Sequence, residues 1–278
     1  MIALADETLG RLRRNRSLQV GGLMLALLLL VVLAGPWLAP ADPLAVDFGQ
    51  ALLGPGPGHW FGTDDLGRDV LSRVIAAAHT DLQIAVMCVL IPFLIGSAVG
   101  LVSGYAGGAT DIVLMRLVDI LWAFPFYVLV IAIVGSLGPS IANMYLAFAL
   151  VAWISFARIV RGEVLVLKQQ EFVQAALVLG YSHWRILLRH ILPNAITPAI
   201  VFMMSDVVLT ILAVTALGFL GLGIQPPTPE WGVMIAEARN FIFDGWWASL
   251  FPGLAIVYVG VTFTFLGDGL DDFLRPKA

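Results

Sequence analysis

The apolar residues of this chain are concentrated in six long stretches separated by short polar segments. A transmembrane helix needs about 20 mostly apolar residues, because a rise of ~1.5 Å per residue must cross ~30 Å of hydrocarbon. Each stretch reaches about that length. The pattern therefore predicts an all-α integral membrane protein with six transmembrane helices. The predicted helices cover residues 18–39, 82–104, 119–137, 140–158, 197–222 and 249–267.

Three of these predicted helices need a further argument. The third and fourth are joined only by Gly138 and Pro139, so we expect an antiparallel hairpin and not one long helix. The first follows a cluster of arginines, as the core of a signal peptide would. Its apolar part is about 20 residues long, however, whereas a signal core has about 7–15. We therefore expect it to be retained in the membrane.

Composition agrees with this pattern and excludes several classes of protein. Hydrophobic residues make up 60% of the chain, charged residues 12%, and the mean hydropathy is +0.94, far outside the range of soluble domains. The net charge of −4 and the scattered basic residues do not predict nucleic-acid binding. A single cysteine, Cys88, cannot form an intrachain disulfide or a cysteine metal cluster.

The sequence does not carry the residues of an ATP-hydrolysing site. A phosphate-binding loop needs the pattern G-x-x-x-x-G-K-[ST], and neither Lys168 nor Lys277 follows a glycine. We find no nucleophile or metal constellation typical of a membrane enzyme. The chain is therefore predicted not to be an enzyme and to bind no cofactor of its own.

The basic residues are distributed unequally across the predicted membrane. If the amino terminus is cytoplasmic, all but three of the 15 lysines and arginines fall in cytoplasmic segments. The exceptions are Arg68, Arg73 and Arg239. Because cytoplasmic loops are enriched in lysine and arginine, both termini and the polar segment 171–194 are predicted to face the cytoplasm.

The segment 171–194 predicts two short helices joined by a sharp turn. Residues 171–179 favour a helix, and Gly180 suits a left-handed cap at its carboxyl end. Ser182 suits the N-cap of a second helix, which we expect to end at Pro193.

The predicted surface of this segment suits close contact with another protein. The small side chains of Ala175 and Ala176 leave one side of the first helix bare, and Arg185, Arg189 and His190 make part of the second helix basic. An amphipathic linker resting on anionic lipid head groups would show similar residues. Physical chemistry alone leaves both interpretations open.

Motifs along most of the chain occur in an order that resembles one family of transport proteins. The residues Gln174-Ala175-Ala176, Gly180 and Ile191-Leu192-Pro193 resemble the EAA loop of ATP-binding-cassette (ABC) importer permeases. The other motifs are FGTDDLGRDVLSR at 61–73, RLVDILWAFP at 116–125, GFLGLGIQPPTPEWGVMIAEAR at 218–239 and FPGLAIVYVGVTFTFLGDGL at 251–270. Together they resemble the C-type permease subunit of the dipeptide, oligopeptide and nickel importers.

The resemblance implies an architecture. A five-helix type I ABC importer core (MetI-like) would occupy residues 82–278, with the EAA coupling loop at 171–194. Residues 1–81 would form a cytoplasmic amino terminus, one added transmembrane helix and an outer segment. The protein would be a multi-pass component of a bacterial cytoplasmic (inner) membrane.

The resemblance also implies partners and a mechanism. In this family the EAA loop forms a coupling helix that docks on a cytoplasmic ATPase. A second permease subunit and two ATPase subunits, which bind ATP and magnesium, complete the importer in the lipid bilayer, and an extracytoplasmic substrate-binding protein delivers the solute. The coupling residues implied in this chain are Glu171, Gln174, Ala175, Ala176, Gly180, Arg185, Arg189 and Pro193.

The imported solute is less well defined by the resemblance. We rank dipeptides and oligopeptides first, with nickel or a metal chelate as the alternative within the family. An ion-coupled secondary transporter is the alternative from another class. A single acid at mid-depth and the lack of an evident inverted repeat argue against it.

The chain departs from the family pattern at several positions. Gln174 stands where glutamate is usual, and Glu171, one helical turn away, is expected to replace the lost charge. The other departures are Ala77-Ala78-His79, Asp81, Thr264 and Asp271. No family contact is carried over to these positions.

Asp206 is the acid that falls near the middle of a predicted span. An ionisable group there is costly and usually faces a bundle interior or a water-filled path. One hypothesis is that Asp206 lines the translocation cavity and contacts an amine of the substrate. The alternative is that a neighbouring helix or the partner permease satisfies it.

Four further residues or motifs carry local predictions. Arg116 and Asp119, three residues apart, are expected to form an ion pair, and Pro125 is expected to kink the third helix. The outer motif GTDDLGRD at 62–69 is interpreted as a turn capped by aspartates in preference to a docking epitope. Trp231, after a proline-rich outer loop, is expected in the interfacial aromatic belt.

Overall fold

The computed structural model describes residues 15–274. Within that range the chain forms helices, turns and two isolated bridges, and no β-strand, so the all-α prediction is confirmed. The predicted cytoplasmic ends, residues 1–14 and 275–278, lie outside the described residues. The α-helices are α1 (Arg16–Leu38), α2 (Val70–Ala106), α3 (Gly108–Trp122), α4 (Phe126–Leu137), α5 (Ile141–Val151), α6 (Trp153–Leu167), α7 (Glu171–Val178), α8 (His183–Ile186), α9 (Leu192–Phe219), α10 (Trp231–Ala238) and α11 (Trp247–Leu274).

Among the described residues, four helical stretches are long and apolar enough to cross a membrane, or up to five if the bent pair α3 and α4 counts as one span. The window 140–158 is covered by α5 and α6, which are interrupted at Ala152 and are each shorter than a full span. The predicted total of six is therefore not confirmed and stays a prediction. The four stretches are Arg16–Leu38, Val70–Ala106, His183–Phe219 and Trp247–Leu274.

The predicted third span, 119–137, is not one continuous helix. α3 ends at Trp122 and α4 begins at Phe126, and the two axes meet at 83°. Pro125 explains the break, because its ring disfavours helical backbone at Phe124 and it has no N–H to donate. The bend expected at Pro125 is confirmed, and it is a full break of the helix.

The turn between α4 and α5 is held by polar caps. The Ser140 hydroxyl accepts the N–H of Asn143 at 3.1 Å, and the Asn143 side chain donates to the carbonyls of Leu137 at 3.1 Å and Gly138 at 2.9 Å. α4 and α5 pack against each other. The hairpin predicted at Gly138 and Pro139 is confirmed.

Close packing of α2 against α6 forms the centre of the fold. Gly96, Gly100 and Gly104 lie one turn apart on α2 and face the α6 side. A methyl group added at Gly96 would collide with the carbonyl of Trp153, and one at Gly100 with the carbonyl of Ala157. Small residues at this spacing let membrane helices approach closely. α2 thereby fixes α6, whose carboxyl end leads into α7.

The first helix lies at the side of this core. α1 packs against α11 and α2.

The predicted domain division between residues 81 and 82 falls inside a helix, because α2 begins at Val70 and continues to Ala106. That division stays a prediction.

Candidate coupling elbow and cavity

The polar segment 171–194, called the elbow below, begins with α7 and a sharp turn. Gly180 donates its N–H to the Leu177 carbonyl at 3.0 Å, and Tyr181 donates to the Ala176 carbonyl at 3.1 Å, which together form a Schellman cap. Gly180 has a φ of 77°, a left-handed conformation that side chains disfavour. The predicted cap at Gly180 is confirmed.

The second part of the elbow runs into a membrane helix. Ser182 is the N-cap of α8 and accepts the N–H of Arg185 at 3.4 Å, as predicted. The predicted helix end at Pro193 is wrong, because a π-helical turn, Leu187–Ile191, leads directly into α9 at Leu192. Pro193 lies in the first turn of α9, directly after the π-helical turn, and the helix continues through it.

Apolar side chains cover the apex of the elbow. Val178 is 89% exposed, Leu179 71% and Trp184 68%. Large exposed apolar side chains that lie together mark a contact surface for protein or membrane. Ala175 is also exposed, but Ala176 packs in the core, so the prediction that both alanines form a bare side is wrong for Ala176.

Polar bonds fasten the elbow to α2 and α6. Gln174 Nε2 donates to the Lys168 carbonyl at 2.8 Å, and Lys168 Nζ donates to the Gly104 carbonyl at 2.9 Å. The Tyr105 hydroxyl lies 2.7 Å from His183 Nδ1. The bond from Gln174 uses an amide N–H that glutamate lacks. The residue that departs from the family pattern therefore has a structural contact here, which sequence reasoning missed.

The charged side chains of the elbow stay on its surface. Glu171, Arg185 and Arg189 are exposed. The Arg185 guanidinium lies 5.0 Å from the centre of the Tyr181 ring, which orients it without removing it from solvent. The expectation that Glu171 replaces the charge missing at Gln174 stays a prediction.

A cleft of about 410 Å³ opens between α9 and two interrupted helix pairs. It is lined at the α3–α4 break by Phe124, at the α5–α6 interruption by Ala152, and on α9 by Asp206. Both helix interruptions therefore lie at this cleft, and irregular backbone within membrane-spanning regions is tolerated where it lines a cavity. Asp206 is half-buried, and the described residues offer it no hydrogen-bond or ion-pair partner.

The prediction that Arg116 and Asp119 form an ion pair is wrong. Asp119 Oδ1 instead accepts from Arg158 of α6 at 2.8 Å. The Arg158 guanidinium also lies 4.4 Å from the centre of the Trp122 ring. A contact between separate helices has replaced the local one, and it holds the end of α3 beside the cleft.

The charged outer motif is a structural turn, as the sequence favoured. Asp64 Oδ1 accepts the N–H groups of Leu66 at 3.0 Å and Arg68 at 2.9 Å. Arg68 pairs with Asp64 at 2.7 Å and with Glu237 at 2.9 Å, and Arg73 pairs with Glu237 at 3.1 Å. These pairs tie the segment before α2 to α10, and the two arginines are buried.

Two buried acids lie close together at the start of α10, and sequence reasoning missed this pair. Glu230 caps this helix by accepting the N–H groups of Gly232 at 2.8 Å and Val233 at 2.7 Å. Asp81 of α2 accepts the N–H of Trp231 at 3.0 Å. Both acids are buried, and burial raises the pKa of Glu230 above its usual value. No local pattern joins positions that lie so far apart in the chain.

Trp231 does not lie in an interfacial belt. It is 1% exposed, and its indole Nε1 donates to the Val74 carbonyl at 3.2 Å. The prediction was wrong because the proline-rich loop turns α10 back onto α2, so that the ring packs in the core.

Interrupted helices around a cleft are typical of membrane transport proteins. Residues 96–278 match the family described as "Binding-protein-dependent transport system inner membrane component", and residues 4–55 match the "N-terminal TM domain of oligopeptide transport permease C". The chain belongs to this family of transport permeases, and the family resemblance noted in the sequence is confirmed.

Similar proteins extend over nearly the whole chain. The probable D,D-dipeptide transport system permease protein DdpC of Escherichia coli (strain K12) is 43% identical over 92% of this chain and 86% of its own length. The dipeptide transport system permease protein DppC of Alkalihalophilus pseudofirmus is 40% identical over 98% and 89%. The glutathione transport system permease protein GsiD of Escherichia coli O157:H7 is 44% identical over 96% and 88%.

Proposed function

We propose that this chain is one of two permease subunits of an ATP-driven importer and that it encloses, with the second permease, a path for peptides. Membership of the permease family is the observation that carries the proposal. The similar proteins named for dipeptide and glutathione transport support a small peptide as the solute. An extracytoplasmic binding protein would deliver the peptide to the inner membrane of a bacterium, in which both termini of this chain face the cytoplasm.

The elbow is the proposed docking site for one of two cytoplasmic ATPase subunits, which bind ATP and magnesium. Val178, Leu179 and Trp184 supply an exposed apolar apex of the kind that fills a groove on a partner. Arg185 and Arg189 lie exposed on the helix that follows and supply charge at the rim. These side chains have few partners in the chain itself, so they are free to make contacts elsewhere.

The rest of the predicted coupling set would hold this surface in place. Ala176 packs the first helix on the core, Gly180 sets the turn, and Gln174 bonds the helix to the end of α6. Ala175 and Glu171 are exposed and would meet the ATPase, whereas Pro193 lies in the first turn of α9.

The continuity of the elbow with α9 suggests how ATP would be coupled to transport. A force on the apex would pass through α8 and the π-helical turn Leu187–Ile191 into α9, which carries Asp206 in the wall of the cleft. ATP-bound and nucleotide-free ATPases would favour different positions of the elbow and thereby shift the permease between outward-open and inward-open states.

Reconstitution of the transporter tests this function. The two permeases, the ATPases and the binding protein are placed in liposomes, and uptake of radiolabelled dialanine is measured with and without ATP. We expect uptake that requires both ATP and the binding protein. Uptake that persists with ATPases lacking their phosphate-loop lysines, and that follows an ion gradient, would establish the ion-coupled alternative instead.

A further inference from the structure

The cleft beside α9 has one charged group in a mostly apolar and aromatic wall, to which Ser155 and Thr210 add hydroxyl groups. Among the described residues that line it, only Asp206 carries a charge. The aromatic side chains of the same wall are Trp122, Phe124, Phe126, Tyr127 and Phe202. A volume of about 410 Å³ falls within the range of small-molecule sites.

The carboxyl group of Asp206 is not used by the fold. It has no bonded partner among the described residues. Arg158, a cation beside the same wall, is held by Asp119 at 2.8 Å and by the face of Trp122. Because an acid at membrane depth is costly, a side chain kept there without a structural partner points to a bound ligand.

A carboxylate among aromatic rings recognises a cationic amine. An ammonium group donates a charge-assisted hydrogen bond to the carboxylate and is attracted to the faces of the rings. A neutral amide can donate a hydrogen bond to the carboxylate but gains neither ion pairing nor attraction to the ring faces, and an anionic group is repelled. The chemistry of the wall therefore distinguishes solutes with a free amino group from solutes whose amino group is blocked.

We propose that Asp206 binds the protonated amino group of the solute during its passage, so that this permease, and not only the binding protein, selects peptides with a free amine. The proposal rests on the proposed function, since it names what the pathway of that importer recognises. It replaces the alternative in which Asp206 pairs with the second permease. It also predicts that selectivity can be changed in the membrane subunit alone.

The test compares two solutes in the reconstituted transporter. Dialanine carries a free amine and N-acetyl-dialanine does not. The affinity of the binding protein for each is measured by calorimetry, and uptake is measured at concentrations that load the binding protein fully with either solute. Wild-type transporter should import dialanine at least about tenfold faster, the factor expected for one charge-assisted contact.

Variants of Asp206 decide the origin of this preference. Asp206→Asn should lower dialanine uptake about tenfold and leave N-acetyl-dialanine uptake unchanged, because only the first solute loses its contact. Asp206→Glu should keep the preference. The matched control is Asp268→Asn, which removes an exposed carboxylate of α11 and should change neither rate.

Several results would overturn the proposal. Unchanged selectivity in Asp206→Asn would do so, as would an equal loss of both solutes together with loss of the second permease on purification. If Asp206→Asn does not assemble, the comparison of the two solutes in the wild-type transporter remains a test. Equal uptake of dialanine and N-acetyl-dialanine, each saturating the binding protein, would contradict selection of the amine. Failure of wild-type dialanine uptake, by contrast, would refute the proposed function and not the role of Asp206.

Discussion

The polar regions predicted to be outer and inner both carry charged residues, but they use them differently. In the predicted outer region, Arg68 and Arg73 are buried, and each forms ion pairs with both Asp64 and Glu237. At the inner end, Arg185 and Arg189 of the elbow stay exposed. Charge alone therefore does not mark a docking site. Exposure and unused bonding capacity distinguish a surface that is available to a partner from ion pairs that stabilise the fold.

Breaking the buried ion pairs of Arg68 should have the largest effect on stability. Arg68→Met removes the closer of the two arginine partners of Asp64 and should lower the free energy of unfolding by about 3 kcal/mol, because Arg73, at 3.5 Å, only partly replaces the lost pair at 2.7 Å. Thermal unfolding of the purified protein measures the loss. The control Arg239→Met removes an exposed arginine from the same side and should change stability by no more than about 0.5 kcal/mol. Equal losses in the two variants would show that these ion pairs do not stabilise the fold.

The turn of the elbow should come next. Gly180→Val forces a β-branched side chain into a left-handed conformation, at a cost of about 1–2 kcal/mol. We expect the cap to be lost, so that ATP hydrolysis by the assembled transporter continues while uptake of dialanine stops. Gly162→Val, at an exposed position of α6 with open space around it, is the control and should leave uptake intact. Normal coupling in Gly180→Val would count against the docking role.

The apex should affect binding and not stability. Leu179→Asp places a charge in the proposed contact and should reduce the affinity for the ATPase at least about tenfold, which corresponds to about 1.4 kcal/mol. Its thermal unfolding should match that of wild type, since the side chain is 71% exposed. Phe243→Asp, at a 94% exposed position of the outer loop before α11, should leave ATPase binding unchanged. If Phe243→Asp weakens ATPase binding more than Leu179→Asp, the two ends have been assigned the wrong way round.

The smallest effect is expected from removing the hydrogen bond between Gln174 and the Lys168 carbonyl. Gln174→Glu replaces the amide donor by a carboxylate facing the Lys168 carbonyl, and it should cost about 0.5–1 kcal/mol of stability. Hydrogen exchange of the backbone amides of α7 should rise in this variant. Gln169→Glu makes the same change at a neighbouring exposed glutamine and should leave α7 unaltered. Faster exchange in both variants would mean that added charge, and not the lost bond, loosens the helix.

Features governed by local chemistry could be predicted from the sequence. The cap at Gly180 and the N-cap at Ser182 follow from backbone preferences of single residues. The bend at Pro125 follows from the missing N–H of proline. The turn at Asp64 follows from the short reach of an aspartate side chain to nearby N–H groups.

Features governed by contacts between distant segments could not be predicted. Asp119 pairs with Arg158, because the packing of α3 beside α6 brings a guanidinium closer than the local candidate. Trp231 is buried because α10 folds back on α2. Asp81 and Glu230 meet at the start of α10, although no local pattern joins two positions so far apart in the chain.

The candidate site shows the same division. The elbow could be located in the sequence, but the burial of Ala176 and the continuation through Pro193 depend on how α7 and α9 pack. Asp206 could be singled out as an isolated acid, whereas its aromatic surroundings come from α3, α4 and α9 together. Sequence identifies the unusual residue, and the packing of helices decides what surrounds it.

Cross-linking at the apex tests the central claim most directly. In a chain whose only cysteine has been removed by Cys88→Ala, a single cysteine is introduced by Val178→Cys on the elbow or by Asp244→Cys on the outer loop. A short thiol cross-linker is then added to the complete transporter. We predict that the elbow cysteine is joined to the ATPase and the outer-loop cysteine is not. Capture of the ATPase by the outer-loop cysteine, or of the binding protein by the elbow cysteine, would contradict the account.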